Sequence, residues 1–193
     1  MCYARMGDNR YHSIFGNVLG CVAVNPSDTA PTLVALNAKI VTSKKTIDAE
    51  KFWAAKVPGS TVLDPDEIVT QIQIPAPGAG VKSAFVKFAL RTSIDFPIVN
   101  CAAAIGGRQA RICLNAVYNL PYRAIKAEDS IRGRTIDEAS AQAAGAAAVQ
   151  DATALTYRPA VQSVGAASPA PPYGKWKIQV AQTMVKRAIL GCR

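Results

Sequence analysis

Apolar and polar positions change period several times along this chain. From Glu67 to Ile74 they alternate one by one, the period of a strand with one covered face. Residues 83–91 and 111–118 also read as strands, the latter alternating. Residues 98–105 are apolar enough to be a buried strand. Shorter strands are predicted at 21–24, halted by Asn25-Pro26, and at 39–43. Gly106-Gly107 marks a turn between the second and third strands of the later half.

Helical spacing appears in between. Ser27 or Asp28 can cap a helix running through Thr32–Leu36, with Pro31 tolerated in its first turn. Residues 48–53 read as one or two helical turns, and 123–131 as a helix stopped by Gly133. Thr135-Ile-Asp-Glu138 reads as a capping box opening an alanine-rich helix. The closing helix, 176–190, carries an apolar stripe of Ile178, Ala181, Val185, Ala188 and Ile189. Strands precede helices in each half, which predicts an α+β fold, antiparallel sheet with helices on one face. Pro75–Gly80 reads as a linker between a unit at 1–76 and one at 81–193. The stretch 158–174, rich in Pro, Ala, Ser and Gly, is expected to be a loop.

Composition narrows the function classes. With 193 residues, half of them hydrophobic and 18% charged, the chain is a globular protein. No apolar run approaches the ~18–20 residues of a membrane span. The net charge of +9 invites a nucleic-acid partner, but the basic residues are scattered and no aromatic–basic signature accompanies them. Five cysteines at wide spacing, with no apolar leader, predict free or metal-bound thiols in a reducing cytoplasm. Cys101 and Cys113 lie in apolar runs and read as core thiols. His12, the single histidine, offers no triad spacing, and no phosphate-loop or zinc signature is present.

The order of segments is more specific. Asn25-Pro-Ser-Asp-Thr-Ala-Pro-Thr-Leu-Val-Ala-Leu-Asn-Ala-Lys-Ile40 resembles a motif of the FAD-binding (medium) subunits of molybdenum hydroxylases. That family includes carbon monoxide dehydrogenase, xanthine dehydrogenase and 4-hydroxybenzoyl-CoA reductase. Ile68–Pro75 is similar to its strand ending in Ile-Pro, and Lys87, Arg91, Asp95 and Val99 to its Lys-x-x-x-Arg…Asp…Val segment. Pro121, Arg123, Ala124, Glu128 and Gly133 resemble the start of its small C-terminal domain, and 175–190 its closing helix. The resemblance implies a flavin-binding α+β subdomain followed by that C-terminal domain.

It also implies an electron-transfer role. FAD would pass electrons to or from iron–sulfur clusters of a small subunit, while a molybdopterin-binding large subunit handles substrate. The cofactor supplies the redox chemistry and the protein its placement. The residues matching the family's cofactor contacts are Asp28, flanked by Ser27 and Thr29, and Lys87, whose ammonium would favour an anionic reduced ring. A helix cap at Asp28 and an ordinary surface lysine at Lys87 are the plainer readings. The family's first Gly-Gly phosphate loop has no counterpart after Met1, so the chain reads as N-terminally shortened; Gly16-Asn17 stands near the place of the second. Cys2 and Cys21 match two of the four thiolates that hold an extra [4Fe–4S] cluster in relatives of 4-hydroxybenzoyl-CoA reductase. Unpaired loop thiols are the alternative. The rival function is an assembly module of the same complex that no longer binds FAD. With a phosphate-bearing cofactor and partner surfaces to account for the charge, neither nucleic acid nor membrane is expected as a partner.

Overall fold

The computed structural model describes residues 4, 10–56, 60–153 and 175–193. Its elements, in order, are α1 (Ala30–Ala35), β1 (Lys39–Thr42), β2 (Thr46–Asp48), α2 (Ala49–Phe52), β3 (Val69–Gln73), β4 (Lys82–Phe88), β5 (Val99–Gly106), β6 (Gln109–Asn115), β7 (Tyr122–Arg123), α3 (Ile125–Ile131), α4 (Glu138–Ala148) and α5 (Lys175–Leu190). They form two antiparallel sheets, ordered β2-β1-β3 and β4-β5-β6-β7. The α+β expectation holds. Residues 158–174 and Cys2 lie outside the described residues.

The second sheet is the centre of the molecule, and strand alternation decides what each of its faces meets. Val99, Cys101, Ala103 and Ile105 of β5 join Ile112 and Leu114 of β6 in one buried cluster with Ile131, Ala144, Val185 and Ile189 from the helices. Side chains one position along point to the opposite face, where α1 lies against β5 and β6. Cys113 there packs with Val34, Ala38, Ile40, Ala49 and Phe52. Both faces are therefore covered, which is why β5 is buried along nearly its whole length and apolar except at Asn100. Gly107, at φ +56°, closes the hairpin to β6. A Cβ on Gly145 would meet the Gln182 carbonyl oxygen at 2.7 Å, so this glycine lets α4 approach α5.

Several expectations are corrected. Residues 21–24 form no strand; Cys21 makes only an isolated bridge to Val18 across the turn at Leu19-Gly20. The half-buried strand expected at 67–74 is β3, exposed along its whole length. It is an edge strand whose faces nothing among the described residues covers, so Ile68, Ile72 and Ile74 remain open despite their alternation. The capping box falls two residues later than expected. Asp137, not Thr135, is the N-cap, its carboxylate accepting from Ser140 N at 2.7 Å while Ser140 Oγ accepts from Asp137 N at 3.0 Å. On α5, Ile178 is only half-buried, and Lys177 takes a fully buried position. Its ammonium replaces water by donating to the carbonyls of Tyr11 (2.9 Å) and His12 (3.1 Å). Burial pulls its pKa down to about 7.

Cys101 and Cys113 are core thiols as expected, and Cys192 joins them. Burial pushes all three thiols up, Cys192 to about 11. The family-like residues Arg123 and Glu128 form a scaffold. Glu128 is buried, and its carboxylate takes Arg123 at 3.0 and 2.6 Å and the Ile112 amide at 2.9 Å. The Glu128 carboxylate in turn holds the Arg123 guanidinium protonated more firmly than usual. Arg123 and Arg111 both reach Glu50 on α2, and Arg111 also donates to the Val34 carbonyl, tying α1 and α2 to the second sheet.

Candidate functional site

A polar cluster sits on the α1-facing side of the second sheet. Strand register builds it. Lys87 of β4 stands beside Asn100 of β5, and Asn100 stands beside Asn115 of β6. These three side chains make a row across adjacent strands, under the turn formed by 25–28.

The turn is fixed to the sheet at several points. Asn25 N donates to the Tyr118 carbonyl (2.9 Å), and Ala116 N donates to the Asn25 carbonyl (3.0 Å). Asn25 Oδ1 accepts from Ser27 N (3.0 Å) and from Asn115 Nδ2 (3.1 Å). Asn115 Nδ2 and Asn100 Nδ2 also donate to the Ser27 carbonyl, at 2.7 and 3.1 Å. Ala116 adopts φ +60° while fully buried, a left-handed conformation that costs a non-glycine residue roughly 1–2 kcal/mol.

Asp28 emerges from this turn toward the row. Its Oδ1 accepts from Asn100 Nδ2 at 3.0 Å and its Oδ2 from Lys87 Nζ at 2.6 Å. Asp28 is therefore not the helix cap. Thr29 stands at the N-cap of α1 without a side-chain cap bond, and two residues earlier Ser27 Oγ accepts from Ala30 N at 3.0 Å and lies 3.2 Å from Thr29 Oγ1. Lys87 is no ordinary surface lysine either. Its ammonium also donates to the Asp95 carbonyl at 2.7 Å. The Asp95 carboxylate is committed to Arg91 and to the Phe96 amide, and the Arg91 hydrogen bond holds its carboxyl below the usual carboxylate range.

The structure thus brings Ser27, Asp28, Thr29 and Lys87, the four residues matched to the family's cofactor contacts, into one neighbourhood. Cys21 is elsewhere, half-buried at the 18–21 turn, and no cluster of three or more potential metal-ligating side chains occurs among the described residues. Asn17, near the place of the second glycine loop, uses its Oδ1 to accept from Gly20 N at 2.8 Å. Sequence reasoning missed Asn25, Asn100 and Asn115. The available signal was an amide inside an otherwise apolar run, Val99-Asn100-Cys101 and Leu114-Asn115-Ala116.

The donor set fits FAD. The Asp28 carboxylate is 45% exposed and can accept from ribityl or ribose hydroxyls. Two potential donors of Lys87 are used within the cluster, which leaves the third N–H for an acceptor on a bound group. Two cavities flank the turn and share Val24 and Pro26. One, of about 340 Å³, includes Val18, Cys21, Asn25 and Lys56; the other, of about 330 Å³, includes Tyr11, Asp95, Phe96 and Lys177. Asn100 Oδ1 and Asn115 Oδ1 are buried with no partner among the described residues, which is uncommon in a folded core.

Comparison with known proteins bears on the chain as a whole. Residues 10–77 match the FAD-binding domain of molybdopterin dehydrogenase, and residues 84–163 match the CO dehydrogenase flavoprotein C-terminal domain. The FAD-binding subunit PaoB of the Escherichia coli K12 aldehyde oxidoreductase is 31% identical over 138 residues, covering 67% of this chain and 43% of the relative. This chain thus spans less than half of that subunit. Carbon monoxide dehydrogenase from Hydrogenophaga pseudoflava superposes with a TM-score of 0.66 at 27% identity, over 86% of this chain and 56% of that one. Quinoline 2-oxidoreductase from Pseudomonas putida 86, at 23% identity, shares the fold over 96% of this chain and 59% of its own, with a TM-score of 0.63. By both domain matches and by fold, the chain belongs to the family of FAD-binding flavoprotein subunits of the molybdenum hydroxylases.

Proposed function

We propose that the chain is the electron-transfer flavoprotein component of a molybdenum-containing hydroxylase or dehydrogenase, working between FAD and the iron–sulfur clusters of a small partner subunit, with a molybdopterin-binding large subunit acting on substrate. The observation that carries this reading is the Asp28–Lys87 pair, set beside the two buried asparagines Asn100 and Asn115 and reaching the protein surface. FAD supplies the redox chemistry when bound. The chain's own groups would bind and orient it. The Asp28 carboxylate would accept from cofactor hydroxyls, with the Ser27 and Thr29 hydroxyls beside it. The Lys87 ammonium would place positive charge beside negative charge on the ring system. Cys21, with Cys2, remains the candidate pair of thiolates toward a further cluster completed by other cysteines.

A second reading has its own support. Ile68, Ile72 and Ile74, with Leu90, Ile94 and Phe96, are all exposed, and such apolar surface suits burial against other subunits. In this reading the chain is an assembly module without FAD. Purifying the native assembly and recording its flavin absorbance decides between them. Flavin that dissociates more readily from an Asp28→Asn assembly supports the first reading; a flavin-free assembly that still contains the partners supports the second.

A further inference from the structure

We infer that Asn100 is a positioning residue for the cofactor-facing carboxylate: from the middle of the buried sheet it fixes Asp28 through Oδ1, so that Oδ2 is presented to Lys87. The inference rests on the FAD reading above and adds a residue to it.

The geometry divides the work between strands. Asn100 is fully buried near the start of β5, an inner strand, between Lys87 and Asn115 in register. Its Nδ2 carries two hydrogens, and both have partners, the Ser27 carbonyl at 3.1 Å and Asp28 Oδ1 at 3.0 Å. One side chain thereby fixes the turn's backbone and the carboxylate that follows it. Asn115, the next in the row, holds only the turn: its Nδ2 reaches the Ser27 carbonyl and Asn25 Oδ1, and makes no bond to Asp28.

This arrangement carries a stability cost. The same amides leave Asn100 Oδ1 and Asn115 Oδ1 buried and unpaired among the described residues. Neighbouring β5 positions on the same face, Ala102 and Ala104, are small and apolar, and an alanine at 100 would extend that surface without an orphaned acceptor. An amide is needed where donors must reach both a carbonyl and a carboxylate. A second carboxylate there would repel Asp28, and an apolar side chain would leave Asp28 held only by Lys87, whose side chain is 26% exposed. A carboxylate that must meet a ligand in one orientation gains from being fixed before the ligand arrives.

The test compares Asn100→Ala, Asn115→Ala and Asp28→Asn in the full chain, with Asn100→Ser as a second variant should the alanine fail to fold. Two readouts are taken: the Asp28 χ1 distribution from NMR scalar couplings in the cofactor-free chain, and FAD affinity in the native assembly. The expected result is a single Asp28 rotamer in the wild type and in Asn115→Ala, rotamer averaging in Asn100→Ala or Asn100→Ser, and FAD affinity about tenfold weaker in those Asn100 variants. A single Asp28 rotamer in the folded Asn100 variants overturns the inference. So does unchanged FAD affinity in them while Asp28→Asn binds FAD more weakly. If Asp28→Asn also leaves FAD affinity unchanged, it is the FAD site itself that is misassigned.

Discussion

Two ion pairs in this molecule come from equally family-like motifs, and they do opposite jobs. Arg123–Glu128 lies between β6, β7 and α3, with the Arg123 side chain 22% exposed but the Glu128 side chain fully buried and accepting from three N–H donors. Lys87–Asp28 lies at the open edge of the same sheet, with 26% and 45% of the two side chains exposed. The first pair holds three elements together and has nothing left to offer a ligand. The second is anchored from below by Asn100 and Asp95 and keeps hydrogen-bonding capacity toward the outside. Motif membership alone does not separate scaffold from site. Burial and unspent donors do.

The sharpest way to break this contrast is to delete Glu128. Glu128→Ala leaves the Arg123 guanidinium and the Ile112 amide short of their acceptor, and we expect a stability loss of ~3–5 kcal/mol in urea denaturation. A loss under 1 kcal/mol would mean that this pair is no scaffold.

The matching change at the open pair should behave in reverse. Lys87→Met should lower stability by less than ~1 kcal/mol, as for an exposed pair. It should nonetheless weaken FAD binding about tenfold, roughly 1.4 kcal/mol, measured by flavin release from the native assembly. Equal stability losses in Glu128→Ala and Lys87→Met would erase the distinction.

Lys177 offers a third case, a buried cation with carbonyl partners and no carboxylate within salt-bridge distance among the described residues. Its pKa is lowered to about 7 from 10.5, so between those values the unfolded chain binds a proton that the folded chain does not. Stability of the wild type relative to Lys177→Met should therefore rise from about pH 7 to pH 10.5 and stay level below pH 7. A flat difference across that range would show that Lys177 is solvated.

The smallest expected effect is at the strained turn beneath the site. Ala116→Gly removes a left-handed alanine and adds chain entropy to the unfolded state, for a net gain of ~0.5 kcal/mol. A clear loss of stability instead would show that the Ala116 methyl packs more than it strains.

Much of the fold was legible because burial imposes period. The largely apolar run of β5 announced a buried strand, and Gly107 and Gly133 fell where chain reversals needed them. β3 misled because alternation reports a face that is meant to be covered, and the described residues do not cover it. The capping box shifted because Asp137 and Ser140 satisfy the same amides that Thr135 and Glu138 were expected to satisfy, and only geometry chooses between such overlapping candidates. Asp28 and Lys87 were found by resemblance, but their mutual contact spans 59 positions and depends on strand register. Asn100 and Asn115 were invisible for a related reason. An amide inside an apolar strand looks like a tolerated exception until its neighbours across the sheet are known.

The most direct test of the central claim, that the Asp28–Lys87 pair faces the flavin, is the two-electron midpoint potential of bound FAD in the native assembly, wild type against Lys87→Met. Losing a positive charge beside the ring system should make the potential about 30 mV more negative, the equivalent of ~1.4 kcal/mol. An unchanged potential, with FAD bound as tightly as in the wild type, would contradict the claim.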